Sequence, residues 1–169
     1  IRSWLNTISG NRVAQLMIVG WAFPFLIEGA SGFGTPAAIA APVLVGLGFN
    51  PIRVAILALI MNTVPVSFGA VGAPTWFGFS GVELTEAETL EIAFRSAVIH
   101  GIIGLVIPLI ALSFLVTWRS IFRNMGFILI SIVSTVVPYV LVARVNYEFP
   151  ALIGGAIGLL VAVLVARSG

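Results

Sequence analysis

The sequence predicts an all-α, polytopic membrane protein fragment with a re-entrant helical hairpin and a broken transmembrane helix. Three observations carry that prediction. Of the 169 residues, 60% are hydrophobic and 8% charged, with a mean hydropathy of +1.18, whereas a soluble domain carries roughly 25% charged residues. The apolar residues fall into runs at about 13–28, 35–49, 52–79, 92–117, 125–143 and 150–166, divided by polar turns. Many of the 18 Gly and 9 Pro lie inside those runs, which interrupts helices in the manner of transporters rather than of simple anchors.

The first two runs form the expected hairpin, 13–49. At 1.5 Å per residue the first reaches about 24 Å and the second less, short of a hydrocarbon core of about 30 Å. Two short arms joined by the glycine-rich tip around Gly32 and Gly34 read as a segment that enters and leaves on one side. Arginine placement agrees. If 13–49 returns to its starting side, Arg2, Arg12, Arg53, Arg119, Arg123 and Arg167 share one face and leave Arg95 and Arg144 on the other; a single crossing would divide them evenly. The positive-inside rule makes the arginine-rich face cytoplasmic. Two full spans with a far-side tip give the same parity, so re-entrance rests on arm length.

The third run, 52–79, is long enough to cross. Its middle carries Pro65, Gly69, Gly72 and Pro74, and proline lacks the N–H and clashes with the carbonyl one turn back, so a broken helix is expected. Asn50 and Pro51 read as its N-cap and first helical residue. Thr85-Glu86-Ala87-Glu88 matches a capping box opening the fourth run, and 92–117, 125–143 and 150–166 read as transmembrane helices. The glycines Gly154, Gly155 and Gly158 suit close helix packing, as do Gly46 and Gly48. Trp21, Trp76 and Trp118 read as interface or packing aromatics, and the single His100 as a packing residue or a proton acceptor. The chain starts at Ile1 and stops just past an apolar run, so 1–169 is expected to be one transmembrane unit of a longer transporter.

Uncovered backbone at membrane depth survives only where protein buries it or it lines a wet cavity, and a carboxylate there is a functional candidate. Glu28 stands beside Ser31, Gly32, Phe33, Gly34 and Thr35 at the expected tip. With Thr35 as N-cap and Pro36 following, the second arm would aim free N–H groups and the positive end of its dipole into the tip. Ala73-Pro74-Thr75 offers a second such terminus beside Gly72, with Asn62, Thr63 and Ser67 as nearby side-chain donors. Two discontinuous helices facing each other suit a small organic anion. Glu28, shielded from water, is the candidate to take up and release a proton. The alternative for Glu28 is a structural contact to the tip or an aqueous vestibule, and for Arg53 anion attraction or an interfacial position.

Other functions are disfavoured by composition. There is no Asp, no Cys and no Ser-His or metal-ligand spacing, which argues against an enzyme or a metal site. A net charge of +2 is too sparse for a nucleic-acid surface.

The stretch from Phe25 through Glu28-Gly29-Ala30-Ser31-Gly32-Phe33-Gly34-Thr35-Pro36 to Phe49, together with Asn62 through Pro74-Thr75, resembles the bacterial L-lactate permease family; the resemblance covers 21–79. It implies a multi-pass protein of the bacterial cytoplasmic (inner) membrane that moves L-lactate, glycolate or related 2-hydroxy monocarboxylates with protons as the coupling ion and no cofactor. Similar transporters pair two inverted halves, so the partners implied are the substrate anion, the bilayer and the remaining half of the same chain. A carrier of another organic anion, such as a dicarboxylate or sugar acid, is the rival expectation; a channel or an assembly subunit is a further one.

Overall fold

The computed structural model describes residues 9–168, and within them every regular element is helical. Helix α1 runs over Arg12–Ser31 with a π-helical turn at Ile18–Ala22. Asn11 caps it, its side chain accepting from the Val13 N–H. The chain turns at Gly32, Phe33 and Gly34, all with positive φ, and returns as α2, Thr35–Gly46. Next come α3 (Pro51–Asn62), a short 3-10 turn (Val66–Phe68) and α4 (Gly69–Gly78). They are followed by α5 (Glu86–Gly104), α6 (Ile107–Ser113), α7 (Trp118–Arg123), α8 (Met125–Ala143) and α9 (Pro150–Ser168).

Among the described residues, four helical stretches are long and apolar enough to cross a membrane, or five if the bent pair α3 and α4 is counted as one span. Helix α1 is the central one. Of its most apolar window 78% is buried, against 33% or less in the other three, so its neighbours surround it and present their own outer faces outward. Helix α9 packs between α1 and α8 through two glycine faces. A Cβ on Gly155 would stand 2.8 Å from the Phe25 carbonyl carbon, and one on Gly154 2.8 Å from the Tyr139 Cβ. Gly29 of α1 reciprocates, its missing Cβ leaving room for the backbone of Ala151 and Leu152. Small residues let helix backbones approach this closely. Gly46 and Gly48 have open space instead; Gly48, at φ 92°, serves the turn into α3.

Several local expectations change on inspection. The first arm does not stop at 28 but holds 20 residues, about 30 Å of helix, because Gly29 is compensated by packing on α9 and Ala30-Ser31 continue the hydrogen-bonding pattern. The arm length on which re-entrance rested is therefore that of a full crossing, while α2 alone is 12 residues. Thr35 is not the N-cap; Gly34 holds that position in the left-handed region without a side-chain bond, and Thr35 is the first helical residue. The fourth run opens at Glu86 behind the Thr85–Glu88 capping box, as expected. It then breaks between Gly104 and Ile107, where Pro108 follows within the next turn. The Asn50 cap on α3 is present, its side chain accepting from the Arg53 N–H.

Three of the six arginines expected on one face come together. Arg12, Arg53 and Arg123 line one cavity, and the Arg12 guanidinium lies 4.8 Å above the Phe49 ring, so 13–49 does return to the end where it began. Arg95 and Arg144 lie at the other end, Arg144 over Phe94 of α5 at 5.6 Å. Arg2 lies outside the described residues.

Candidate functional site

The break in the third run is sharper than a kink. α3 and the Val66–Gly78 stretch meet at 64°, and Ala70, Val71 and Gly72 have φ of 46°, 55° and 75°, a left-handed turn. For a β-branched residue such as Val71 that conformation is an outlier costing on the order of 1–3 kcal/mol, and it persists only where surrounding structure enforces it. Two backbones do so here. A Cβ on Gly32 would stand 2.8 Å from the Ala70 N, and one on Gly72 2.8 Å from the Glu148 Cα. The hairpin tip presses on one side of the turn and the α8–α9 connection on the other.

Glu28 sits where tip and break touch. It is 1% exposed, and a Cβ on Gly69 would stand 2.6 Å from its Oε1, so only glycine lets the carboxyl reach this position. The polar groups turned towards that carboxyl are the Asn62 side chain at the end of α3 and the Gly34 backbone N–H at the start of α2. Glu28 Oε2 and Asn62 Oδ1 are both buried and without a hydrogen-bond partner in the protein. Buried polar atoms are rarely left unpaired, so such a pair needs an explanation, and a proton on the carboxyl or a bound water or ligand would supply it. The tip amides are largely spoken for: the Thr35 N–H donates to the Gly32 carbonyl at 3.1 Å, and Pro36 has none to give. The terminus expected to receive an anion thus already faces one, the protein's own carboxylate.

The expected site residues therefore separate. Gly32, Gly34 and Asn62 gather around Glu28. Ser31 is exposed and donates to the Ile27 carbonyl at 2.9 Å, Phe33 is 83% exposed, and Thr63 donates to the Ile60 carbonyl at 2.7 Å. Thr75 is buried and donates to the Ser67 carbonyl at 2.7 Å; both line a separate cavity of about 140 Å³ against α5 with Ser96. The Thr75 hydroxyl proton is spent on this contact, and after the left-handed turn only Ala73–Gly78 remain helical. Gly72 serves the packing of the 147–148 backbone.

Two residues that local sequence did not mark as part of the site hold the break in place. Tyr139 of α8 donates its hydroxyl to the Val64 carbonyl at 3.3 Å, and His100 of α5 places Nδ1 3.2 Å from the same hydroxyl. The Tyr139 ring meets Phe25 and Phe68 edge-on, each at 5.3 Å. The Val64 carbonyl, left without a helical partner because the Phe68 N–H donates to the Pro65 carbonyl instead, thus finds its donor 75 residues away. Trp21 is buried at 1% exposure, whereas Trp76 and Trp118 are about half exposed, at 49% and 53%.

A bundle of apolar spans with a glycine hairpin seated against a broken helix, and a buried carboxylate at their contact, defines a multi-pass membrane protein built like one part of a transporter. The family model for L-lactate permease matches residues 1–168, and the chain belongs to that family. It is 64% identical over 167 residues to a Haemophilus influenzae protein named provisionally as an L-lactate permease, covering 99% of this chain and 31% of that protein. It is 33% identical over 171 residues to an L-lactate permease of Streptococcus iniae, covering 97% of this chain and 34% of the relative. A glycolate permease of Escherichia coli K12 is 50% identical over 74 residues, 44% of this chain and 13% of that protein. The chain spans about a third of the length of the relatives that it matches throughout. No solved structure matches it.

Proposed function

We propose that this chain forms one half of the substrate pathway of a secondary transporter that takes up L-lactate, and related 2-hydroxy monocarboxylates such as glycolate, together with protons across the bacterial inner membrane. The names of its relatives support the substrate class and a transporter rather than an enzyme. The observation that carries the coupling is the buried Glu28 carboxyl set against Asn62 and the Gly34 N–H, with one acceptor oxygen on each side chain unsatisfied.

That arrangement suggests why an anion and a proton would travel together. While Glu28 is charged it competes for the donors at the hairpin tip, and a second carboxylate entering there would meet a like charge in a low-dielectric site. When a proton from solvent binds Glu28, the charge is cancelled, and the Asn62 amide and Gly34 N–H are released to the substrate carboxylate. The positive end of α2 favours the newcomer, and Thr35 or Asn62 then contacts its hydroxyl. Site charge is the same before and after loading. Reopening to the other side releases substrate and proton together.

The test is Glu28→Gln in the full-length permease reconstituted in liposomes. A neutral isostere is expected to keep exchange of labelled lactate across the membrane while abolishing accumulation driven by an imposed pH gradient. Gradient-driven accumulation equal to that of the unmodified protein would remove Glu28 from the coupling. Competition by lactate, glycolate, succinate and gluconate sets the substrate class, with the two monocarboxylates expected to compete best.

A further inference from the structure

A larger cavity than that beside Thr75 lies away from Glu28, at the end where α1 and α3 begin and α6 gives way to α7. It measures about 870 Å³ and is lined by Arg12, Arg53 and Arg123, which come from three different helices. Asn11, the cap of α1, donates through Nδ2 to Asn124 Oδ1, tying the first helix to the α7–α8 corner and closing one wall. Another wall is apolar, with Phe114 and Trp118, and Trp118 is 53% exposed.

The charge of this cavity is unbalanced. Among the described residues the one ion pair is Arg95 with Glu91, at the other end. Of the six glutamates, Glu28 is buried at the hairpin tip, Glu83, Glu86, Glu88 and Glu91 surround the start of α5, and Glu148 lies in the α8–α9 connection. Three arginines therefore line one hollow, and none of the glutamates among the described residues stands beside them. The hollow lies where the apolar spans α1 and α8 both start, and the ends of a membrane span fall at the lipid headgroups.

We propose that this cavity is a binding site for the phosphate of an anionic phospholipid, with the three arginines holding the phosphodiester and the Phe114–Trp118 wall receiving the glycerol and the first acyl methylenes. Free inorganic phosphate shares the anionic chemistry. It lacks an apolar part to use that wall, and lipid is the occupant the mixed lining fits. Guanidinium groups pair with phosphate oxygens in a planar fork, and basic hollows between membrane helices take anionic headgroups on electrostatic grounds. This site is independent of the transport reading.

The experiment is a titration of the purified full-length permease, in a zwitterionic detergent, with dioleoyl phosphatidylglycerol, dioleoyl phosphatidylcholine or inorganic phosphate, read as the thermal unfolding midpoint. Phosphatidylglycerol is expected to raise the midpoint saturably and the other two to leave it unmoved. Replacing all three residues, Arg12→Gln, Arg53→Gln and Arg123→Gln, is expected to weaken the lipid response by about 100-fold in apparent affinity, from about fivefold per arginine near a headgroup. The control pair Arg95→Gln and Arg144→Gln is expected to keep it. Should the triple glutamine variant fail to fold, the same three positions changed to Lys keep the charge, and their retained selectivity for phosphatidylglycerol over phosphatidylcholine supports the site. Equal shifts with both lipids, a shift with inorganic phosphate at matching concentration, or an unweakened response in the triple glutamine variant each overturns the proposal.

Discussion

Gly155→Ala is the sharpest probe of how α9 is held. The added methyl would stand 2.8 Å from the Phe25 carbonyl carbon and closer still to the Leu26 amide, where carbon contacts settle at about 3.5–4.0 Å. Both obstacles are backbone, so no rotamer change relieves them, and α1 and α9 must part by about 1 Å. A gap of that size forfeits roughly a quarter to a half of each dispersion contact across the seam, and overpacking of this kind costs about 1–3 kcal/mol. Because every obstacle is backbone the cost falls at the upper end of that range, and after alanine regains about 1 kcal/mol of helix propensity over glycine the net loss is about 2 kcal/mol, more than tenfold in the folded-to-unfolded ratio. The control is Gly46→Ala, where a Cβ meets nothing within 4 Å and the propensity gain stands alone. Denaturant midpoints of the full-length permease in mild detergent are expected to move in opposite directions for the two variants. A Gly155→Ala protein as stable as the unmodified one, or shifted like Gly46→Ala, would refute the seam.

Gly32→Ala is expected to destabilise by about 2 kcal/mol or more, since its Cβ would meet both the N and the Cβ of Ala70 at a φ of 63° that side chains rarely adopt; the same midpoint measurement checks it, and lactate uptake is expected to fall with it. Tyr139→Phe removes the donor to the Val64 carbonyl and is expected to cost about 1–3 kcal/mol, the penalty of an unsatisfied buried acceptor. Hydrogen exchange in that variant is expected to rise first around residues 63–68, and unchanged protection there would show that the break is held by other contacts.

Much of this architecture was legible because membrane helices report themselves through length and hydropathy. Met125–Ala143 spans the residues expected from its apolar run, and Pro65, Gly69 and Gly72 mark the break, since proline and glycine act locally. Glu28 stood out because a carboxylate in an apolar run needs a reason. What local reading could not supply was compensation from afar. Gly29 looked like the end of a helix, yet Ala151 and Leu152 pack against it and the helix runs on to Ser31. Tyr139 carried no signal and Gly69 signalled only the break, because their contacts with Val64 and Glu28 lie elements apart in the chain. Thr75 looked like a ligand donor until Ser67 took its hydroxyl.

The lengthened first arm changes what kind of movement the site allows. With α1 full-length and packed on α9 through backbone contacts on both helices, the hairpin cannot shift while α9 stays in place without breaking the Gly29 and Gly155 seams. The left-handed turn at Ala70–Gly72 is held between Gly32 and the 147–148 backbone, so it belongs to the same body. Helix α2 is differently placed. It is short, its Gly34 cap is exposed with open space around it, and half of its length carries little burial. A protonation event at Glu28 that releases the Gly34 N–H would therefore be felt first by α2, the arm with the fewest close contacts to resist it. The proposed coupling step and the less buried arm then meet at one amide, so an opening motion driven by that step would start at the second arm rather than at the buried first.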